Sequence, residues 1–409
     1  MEDCIVDLLV LTQKLYTSDI SGLAKRLYPF LKEFKEMGHS ITLISFYEKK
    51  SELKDLPKIN EYYDKIITVK LNRKLAYIRM LKAIFTGKPF KLEFCNTHAM
   101  KKAVSKELKN KKYDILYAHY YKMANFIEKY ANYPRVVDLC DAFAMRFDKQ
   151  IPLEKNPIKR FFLKQERNRM YNYEKRCITN FDKCLYISET DRQFMTDTNT
   201  IQKTEVISNG VDTGYFCPLD NDYNRHEINY IGLMSYIANH DAVMNFIKNV
   251  YPLVKQQVPD VTFKIIGKDP KKELYDVAKR DNSIIITGFV EDIRKEIETS
   301  CASVAPVRIG AGIQNKILEA MSMGLPVVTS SFGAEGISND ENILLIGQSE
   351  QDFANKVCKL LKHEDLRNKY SNVAREFCIN NFSWSSNANK ISKVFKELCN
   401  KNKKGIKCI

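Results

Sequence analysis

The chain has 409 residues, with 65 Lys+Arg against 50 Asp+Glu for a formal charge of +15, and 44% of its residues are hydrophobic and 28% charged. That length exceeds one ordinary core and that apolar content excludes a disordered chain, so two globular domains are expected. The 11 Cys are scattered singly with no Cys-x-x-Cys pair, which excludes a disulfide scaffold and reads as buried thiols in a reducing compartment.

The amino end, Met1-Glu2-Asp3, is acidic and unlike an export signal, and no span approaches the roughly 20 apolar residues that cross a bilayer, so a cytoplasmic protein is expected. No zinc-finger spacing, aromatic RNA-binding signature or basic zipper appears, so no nucleic-acid partner is expected despite the positive charge.

In chain order, short β-branched runs alternate with helical patterns. Candidate strands are Ile5–Leu11, Ile41–Phe46, Ile66–Val69, Ile115–Ala118, Val136–Leu139, Cys184–Ile187 and Val206–Ser208. Amphipathic stretches lie between them, among them Leu23–Met37, which stops at Gly38, and Lys155–Ile178. A polar stretch follows to His226, and alternation resumes with Ile228–Ile231, Phe263–Ile266, Ile284–Thr287, Ser303–Ala305, Val327–Thr329 and Ile343–Ile346. The pattern predicts an α/β chain of two Rossmann-like, doubly wound domains with ligands in the cleft between them. The expected division is residues 1–208, a linker at 209–225, a second domain at 226–380, and a helix over 381–409 that packs back on the first domain. Trp384, the single tryptophan, reads as a core or interface anchor.

Residues 301–329 carry most of the functional content. A buried strand ends at Pro306, the loop Gly310-Ala311-Gly312 follows, and a helix is predicted to open near Ile313. Free amides at such a helix start, from Gly310 to Ile313 and on through Gln314 and Asn315, with glycines that leave the backbone open, suit a phosphate group. Arg308 and Lys316 bracket the loop with positive charge, which suggests a diphosphate. Lys316 and Asn315 stand three and four residues before Glu319, so the three share one helix face, and Glu319 is placed to accept two hydroxyl hydrogen bonds from a ribose; an ordinary exposed Lys/Glu pair on a surface helix is the alternative.

The string from Gly310 to Val328, followed by Gly333-Ala334-Glu335-Gly336, resembles the donor-site signature of family 4 glycosyltransferases of the GT-B fold, in particular the branch tied to bacterial exopolysaccharide systems. Ser208-Asn209-Gly210-Val211-Asp212 with Phe216 and Pro218, then Ser235-Tyr236 with Asn239-His240-Asp241-Ala242-Val243, and Gly288-Phe289-Val290 fit the same family in order. The resemblance implies hexosyl transfer from a nucleotide diphosphate-sugar, UDP- or GDP-linked, with retained configuration and without a metal ion or other cofactor. It implies that Glu319 holds the ribose, that Val290 offers its backbone to the base, and that Arg308, Lys316 and the loop amides face the diphosphate. Gly267 and Lys268 follow a strand of the same domain and are further donor candidates. Two departures stand out: a glutamate usual eight residues before Glu319 is replaced by Ala311, and an Arg and Lys pair usual after the domain's first strand is absent from Leu233 to Ile237.

On the acceptor side, His119 ends the strand Tyr113–Ala118, where the resemblance puts a histidine against the donor sugar; a satisfied structural histidine is the alternative. Asp141 closes the next strand and could orient an acceptor hydroxyl, with Asp138 as its rival. Ser21-Gly22 resembles the family's flexible loop beneath the donor sugar, and also reads as helix-cap chemistry. No carboxylate stands out as a nucleophile, so retention is expected to rest on leaving-group stabilisation.

Residues 70–112 hold thirteen Lys/Arg against two Asp/Glu, and Lys155–Arg176 repeats the bias beside Phe161, Phe162 and Leu163. That composition fits a peripheral contact with an anionic membrane at its inner face, and a lipid-linked or glycan acceptor in surface polysaccharide synthesis. The rival expectations are a degenerate scaffold that binds a nucleotide sugar without turnover, and a sugar-nucleotide epimerase. A dehydrogenase is disfavoured, since Thr17 to Gly22 contains no Gly-x-Gly-x-x-Gly.

Overall fold

The computed structural model describes residues 5–15, 22–219, 224–309, 312–338, 340 and 342–406. The chain divides into two compact units, Met1–Ser208 with Asn387–Ile409, and Asn209–Ser386.

In the first unit, β1 (Asp7–Thr12), β2 (Ser40–Tyr47), β3 (Lys65–Lys70), β4 (Ile115–His119), β5 (Arg135–Cys140), β6 (Lys183–Tyr186) and β7 (Thr204–Val206) form one sheet in the order β3-β2-β1-β4-β5-β6-β7. Every pairing is parallel, with Leu9 facing Thr42 on one side and Leu116 on the other. The strands are parallel because helices cover both faces, and this is why Leu8 to Leu11 is a continuous apolar run with no alternation, all of it buried. The order reverses between β1 and β4, so His119, the last residue of β4, stands at a topological switch point, where doubly wound sheets bind ligands.

The C-terminal helix Trp384–Ile406 straddles the division between units. Its Phe395 ring lies 5.4 Å from Phe34 and 6.1 Å from Tyr117 in the first unit's core. Asn387 donates to the Ser208 carbonyl at 3.3 Å.

In the second unit, β8 (Asn224–Ile231), β9 (Thr262–Ile266), β10 (Ile284–Gly288), β11 (Ser300–Ala305), β12 (Val327–Ser330) and β13 (Leu345–Gly347) run parallel in the order β10-β9-β8-β11-β12-β13. Here the order reverses between β8 and β11, and the loop after β11 is the one that leads to Lys316 and Glu319. Two boundaries differ from expectation. Strand β8 starts at Asn224, ahead of His226, and residues 209–219 belong to the second unit instead of forming a free linker. They are held there by the Val211 amide on the Phe382 carbonyl at 2.8 Å, by Phe216 and Leu219 against the core, and by Gly210, whose missing Cβ makes room for Trp384.

A buried ion pair crosses the first unit. Arg26, in the helix Gly22–Glu36, donates through Nε to Asp138 Oδ2 at 2.9 Å and through Nη2 to Oδ1 at 3.2 Å. The same guanidinium reaches the carbonyls of Ser208 at 3.1 Å and Ile207 at 2.8 Å. Burial by itself would raise the Asp138 pKa, but Arg26 and His119 overcome it and hold the carboxyl well below its ordinary range. Arg26→Met would strand that charge, and a loss of about 3–5 kcal/mol in denaturant unfolding is expected. Arg26→Met with Asp138→Leu should recover most of it. Because the native pKa is depressed, the pair's contribution is complete above about pH 4 and disappears as pH falls towards the native value.

Candidate functional site

At the carboxyl ends of β8, β9 and β10 lies a cavity of about 480 Å³. Its walls are the turn Ile231-Gly232-Leu233 with Tyr236 and Asn239, the turn Ile266-Gly267-Lys268, the turn Phe289-Val290 with Ile293, and Ile313 to Lys316 with Glu319. Two glycines shape it by close approach. A Cβ on Gly267, whose φ is +145°, would fall 1.8 Å from the Gly232 carbonyl oxygen, and one on Gly232 would fall 2.7 Å from Asn239 Nδ2. The ends of β8 and β9 can therefore meet only if both positions lack side chains.

The helix carrying Lys316 and Glu319 is Asn315–Ser322, two residues later than the predicted opening near Ile313. Gln314 occupies the cap position in an extended conformation and turns its side-chain amide back to the Gly312 carbonyl at 3.1 Å. Gly312 has φ +75°, and Ile313 and Gln314, which line the cavity, lie outside any helix or strand ahead of the helix start. Gly310 and Ala311 lie outside the described residues. Ile317, Leu318, Ala320 and Met321 turn inward, which leaves Asn315, Lys316 and Glu319 on the cavity face, the juxtaposition expected from their spacing.

Lys316 is the best-anchored cation at this site. Its Nζ donates to the Tyr230 hydroxyl at 2.7 Å and to Asn239 Oδ1, and stands 4.7 Å from the centre of the Tyr230 ring. Tyr230 in turn donates to Asn239 Oδ1 at 2.9 Å, and Asn239 Nδ2 is fixed by the Leu233 carbonyl at 3.0 Å. Burial pushes the Lys316 pKa down to about 8, against the pull of Glu319. Tyr230 and Asn239 were not foreseen as functional. Asn239 stood in a motif that carried the resemblance, but Tyr230 looked like any aromatic in a buried strand.

Arg308, expected to flank the diphosphate, does not line the cavity. Its Nη1 donates to Asn245 Oδ1 and its Nε lies 3.8 Å from Asp241 Oδ2, so acceptors in the helix Ile237–Asn245 draw the guanidinium away. Lys268, Gly267 and Val290 line the cavity. His240 pairs with Glu273 at 2.8 Å.

At the switch point of the first unit, His119 is buried and its Nδ1 lies 3.4 Å from Asp138 Oδ2. Asp138 also accepts from the Tyr117 hydroxyl at 3.1 Å, so with Arg26 its oxygens are fully engaged. Asp141 is the more accessible carboxylate. It accepts from Arg146 Nη2 at 2.7 Å, and burial raises its pKa against that contact. Asp141, just beyond the end of β5, is thus partly accessible, while Asp138 within the strand is interior. His119, Asp138 and Cys140 bring ligand-type atoms within 4.8 Å of one another, but Arg26 already supplies the compensating charge, and burial raises the Cys140 thiol well above its usual range. These residues do not fit a metal ion.

Two non-glycine residues here have left-handed backbones, Tyr120 (φ 80°) directly after β4 and Cys140 (φ 69°) at the end of β5. Such conformations are costly and gather where a loop must be aimed. The loop after Cys140 is clamped from below: Asp191 accepts from the Ala142 amide at 2.8 Å, and Glu174 from the amides of Phe143 at 2.7 Å and Ala144 at 3.1 Å. Burial raises Glu174 to about 8. These clamps escaped the sequence reading because both carboxylates are distant in the chain from the amides they hold. Gly22 is the first residue of its helix, and Ser21 lies outside the described residues.

Comparison with known proteins places this arrangement. Residues 225–363 match the family described as Glycosyl transferases group 1, and residues 20–215 match Glycosyltransferase Family 4. An uncharacterized glycosyltransferase of Methanocaldococcus jannaschii is 29% identical over 168 residues, 39% of this chain and 43% of that protein. An uncharacterized 44.6 kDa protein in the cps region of Klebsiella pneumoniae is 25% identical over 245 residues, 57% of this chain and 59% of its own length. The chain thus spans less than two thirds of either relative. Among solved structures, a glycosyltransferase from Rickettsia africae superposes with a TM-score of 0.64 at 19% identity, over 96% of this chain and 98% of that one. Anabaena HepE in complex with UDP superposes with a TM-score of 0.63 at 14% identity, over 96% of this chain and all of that one. Two parallel sheets of this topology, with the two family matches falling one on each, make the chain a member of the family 4 glycosyltransferases with the GT-B fold.

Proposed function

We propose that this enzyme transfers a hexose from a nucleotide diphosphate-sugar to a glycan or lipid-linked acceptor in surface polysaccharide synthesis, with retention of configuration. The observation that carries the donor reading is the wall of the cavity formed by Lys316 and Glu319, a cation and a carboxylate three residues apart on one helix face. The HepE structures with UDP and with UDP-glucose support a nucleotide-sugar donor, and the Klebsiella relative in a cps region supports the pathway.

In this reading the base enters beside Val290 and the exposed Phe289 ring, and Glu319 accepts hydrogen bonds from the ribose hydroxyls. The diphosphate meets the Lys316 ammonium and the amides that lead into the Asn315–Ser322 helix. As the glycosidic bond breaks, charge grows on the departing phosphate oxygen, and a cation already positioned in a partly dry wall stabilises it without reorganisation. The acceptor hydroxyl attacks from the leaving-group side and passes its proton to that oxygen, with Asp141 orienting it. His119, buried against Asp138, positions the β4 end for the donor sugar. Lys316 meets the charge of the diphosphate, and the reaction proceeds without a metal ion or other cofactor.

Transfer from a panel of UDP- and GDP-sugars tests this. Glu319→Ala and Lys316→Ala should each lower kcat/KM by about 100-fold or more, the scale of losing one preorganised charged contact, and activity should persist in chelator. Arg308→Ala should cost less than Lys316→Ala. Full activity in both cavity variants would overturn the assignment, and isomerisation of the donor without acceptor would identify an epimerase.

The lowered Lys316 pKa gives the donor site a signed pH dependence. The folded pKa lies below the ordinary lysine value, so the ammonium is charged below about pH 8 and loses its proton above it. Donor affinity measured by calorimetry should therefore be flat from neutral pH upward to that point and then decline. Lys316→Arg, which keeps its charge throughout, should abolish the decline.

A further inference from the structure

We propose that the face of the first unit built from the helix Arg73–Thr86 and the opening turns of the helix Pro157–Asn180 docks on the surface of a bilayer containing anionic phospholipid. The first helix inverts the usual pattern, and the second departs from it in its opening turns. The inward positions of Arg73–Thr86 are the small residues Ala76 and Ala83, while Leu75, Tyr77, Ile78, Leu81, Ile84 and Phe85 face outward, each more than half exposed and Phe85 88% exposed. Along Pro157–Asn180 the inward stripe includes the carboxylates Glu166 and Glu174 with Met170 and Tyr173, while Ile158, Phe161 and Phe162 in the opening turns are outward. Helices in water place large apolar groups against the core. The first helix turns alanine inward and keeps its large groups outside, and the second leaves three large groups exposed in its opening turns while Met170, Tyr173, Cys177 and Ile178 are buried further along; exposed apolar groups gathered in this way mark an interaction surface.

The two segments border one recess. A cavity of about 500 Å³ is lined by Met80 from the first helix, Phe90, Phe147, and Phe162 and Leu163 from the second, with Lys91 and Lys159 among its walls. Glu154 and Glu166 also line it; Glu166 is engaged by the Phe90 amide at 2.8 Å, and burial raises its pKa. Arg169 stands 5.0 Å from the Phe90 ring, and Tyr77 lies edge-on to Phe94 at 5.4 Å, so the short helix Phe90–Cys95 ties the two helices into one surface.

Charge selects the occupant. Residues 73–86 contain Arg73, Lys74, Arg79 and Lys82 and no acid, and residues 155–164 contain Lys155, Lys159, Arg160 and Lys164 and no acid; of these, Arg79 turns inward to the Phe94 carbonyl at 3.2 Å and Arg73 lies 3.6 Å from Glu48, which leaves the lysines and Arg160 as the cations of the face. A protein interface of ordinary kind has an apolar centre with a polar rim and is depleted in lysine. Large apolar side chains interleaved with cations of one sign match an anionic lipid surface, where the apolar groups enter the acyl boundary and the cations meet the phosphates. Among the described residues no helix is long and apolar enough to cross a membrane, so the contact is one of lying on the surface. The face belongs to the first unit and the nucleotide cavity to the second, so the membrane proposal can fail while the donor reading stands, and the reverse.

Co-sedimentation of the full chain with vesicles of equal parts phosphatidylglycerol and phosphatidylcholine, set against pure phosphatidylcholine, tests the proposal. The wild-type chain should pellet with the anionic vesicles, less so in high salt, and remain in the supernatant with the neutral ones. Leu81→Ser with Phe85→Ser, Phe161→Ser with Phe162→Ser, and Lys159→Glu with Lys164→Glu should each weaken the partition about tenfold. Unchanged thermal melting and UDP binding would show that those variants remain folded. Three results would overturn the proposal: wild-type chain in the supernatant with both vesicles, serine variants that pellet like wild type, or a wild-type dimer in sedimentation velocity that the serine changes convert to monomer.

Discussion

The cavity of the second unit depends on keeping one ammonium charged in a wall that is largely removed from water. Lys316 manages this because Tyr230 and Asn239 both accept its protons and the tyrosine ring lies beneath it. That cradle needs Asn239 at a fixed place, and Asn239 is fixed by the Leu233 carbonyl, by the hydroxyl of Tyr230 and by the bare backbone of Gly232. The turns after β8 and β9 can converge on it only because Gly232 and Gly267 carry no side chains. The cavity is therefore less a gap in the packing than the outcome of four local requirements that agree. A charge held in this way is costly at rest and, under the function proposed above, useful when a diphosphate arrives, as expected of preorganised electrostatics.

The first unit solves a related problem differently. Its buried carboxylate, Asp138, is neutralised internally by Arg26, and the same guanidinium holds the carbonyls of Ile207 and Ser208. Asn387 donates to that Ser208 carbonyl too, so the places where the chain leaves and re-enters this unit are tied to one ion pair. Around it, left-handed Tyr120 and Cys140 and the amide clamps of Asp191 and Glu174 shape the ends of β4 and β5. Here stability and the aiming of a site use the same contacts.

Much of this was legible beforehand. Thirteen strands could be placed from β-branched runs because parallel strands covered on both faces leave an unbroken apolar signature. The face shared by Asn315, Lys316 and Glu319 followed from helical spacing alone. Arg308 shows the limit of such reading: adjacency in sequence put it beside the glycine loop, yet Asn245 and Asp241, more than sixty residues earlier, determine where its guanidinium goes. Likewise the helix begins at Asn315 and not near Ile313, with the extended Gln314 at its cap position and the Gln314 side chain turned back to Gly312.

The amino-acid sequence by itself determined the two doubly wound units, the order of their strands along the chain, the basic excess of residues 70–112 and the helix that carries Lys316 and Glu319, since periodicity and composition are local properties. Only the tertiary structure decided that Tyr230 and Asn239 hold Lys316, that Asp138 rather than Asp141 is the interior carboxylate with Arg26 as its partner, and that the large apolar residues of Arg73–Thr86 face outward while its alanines face in. Each of these depends on which distant segments approach one another, and a helical or strand period specifies a face without specifying what that face will meet.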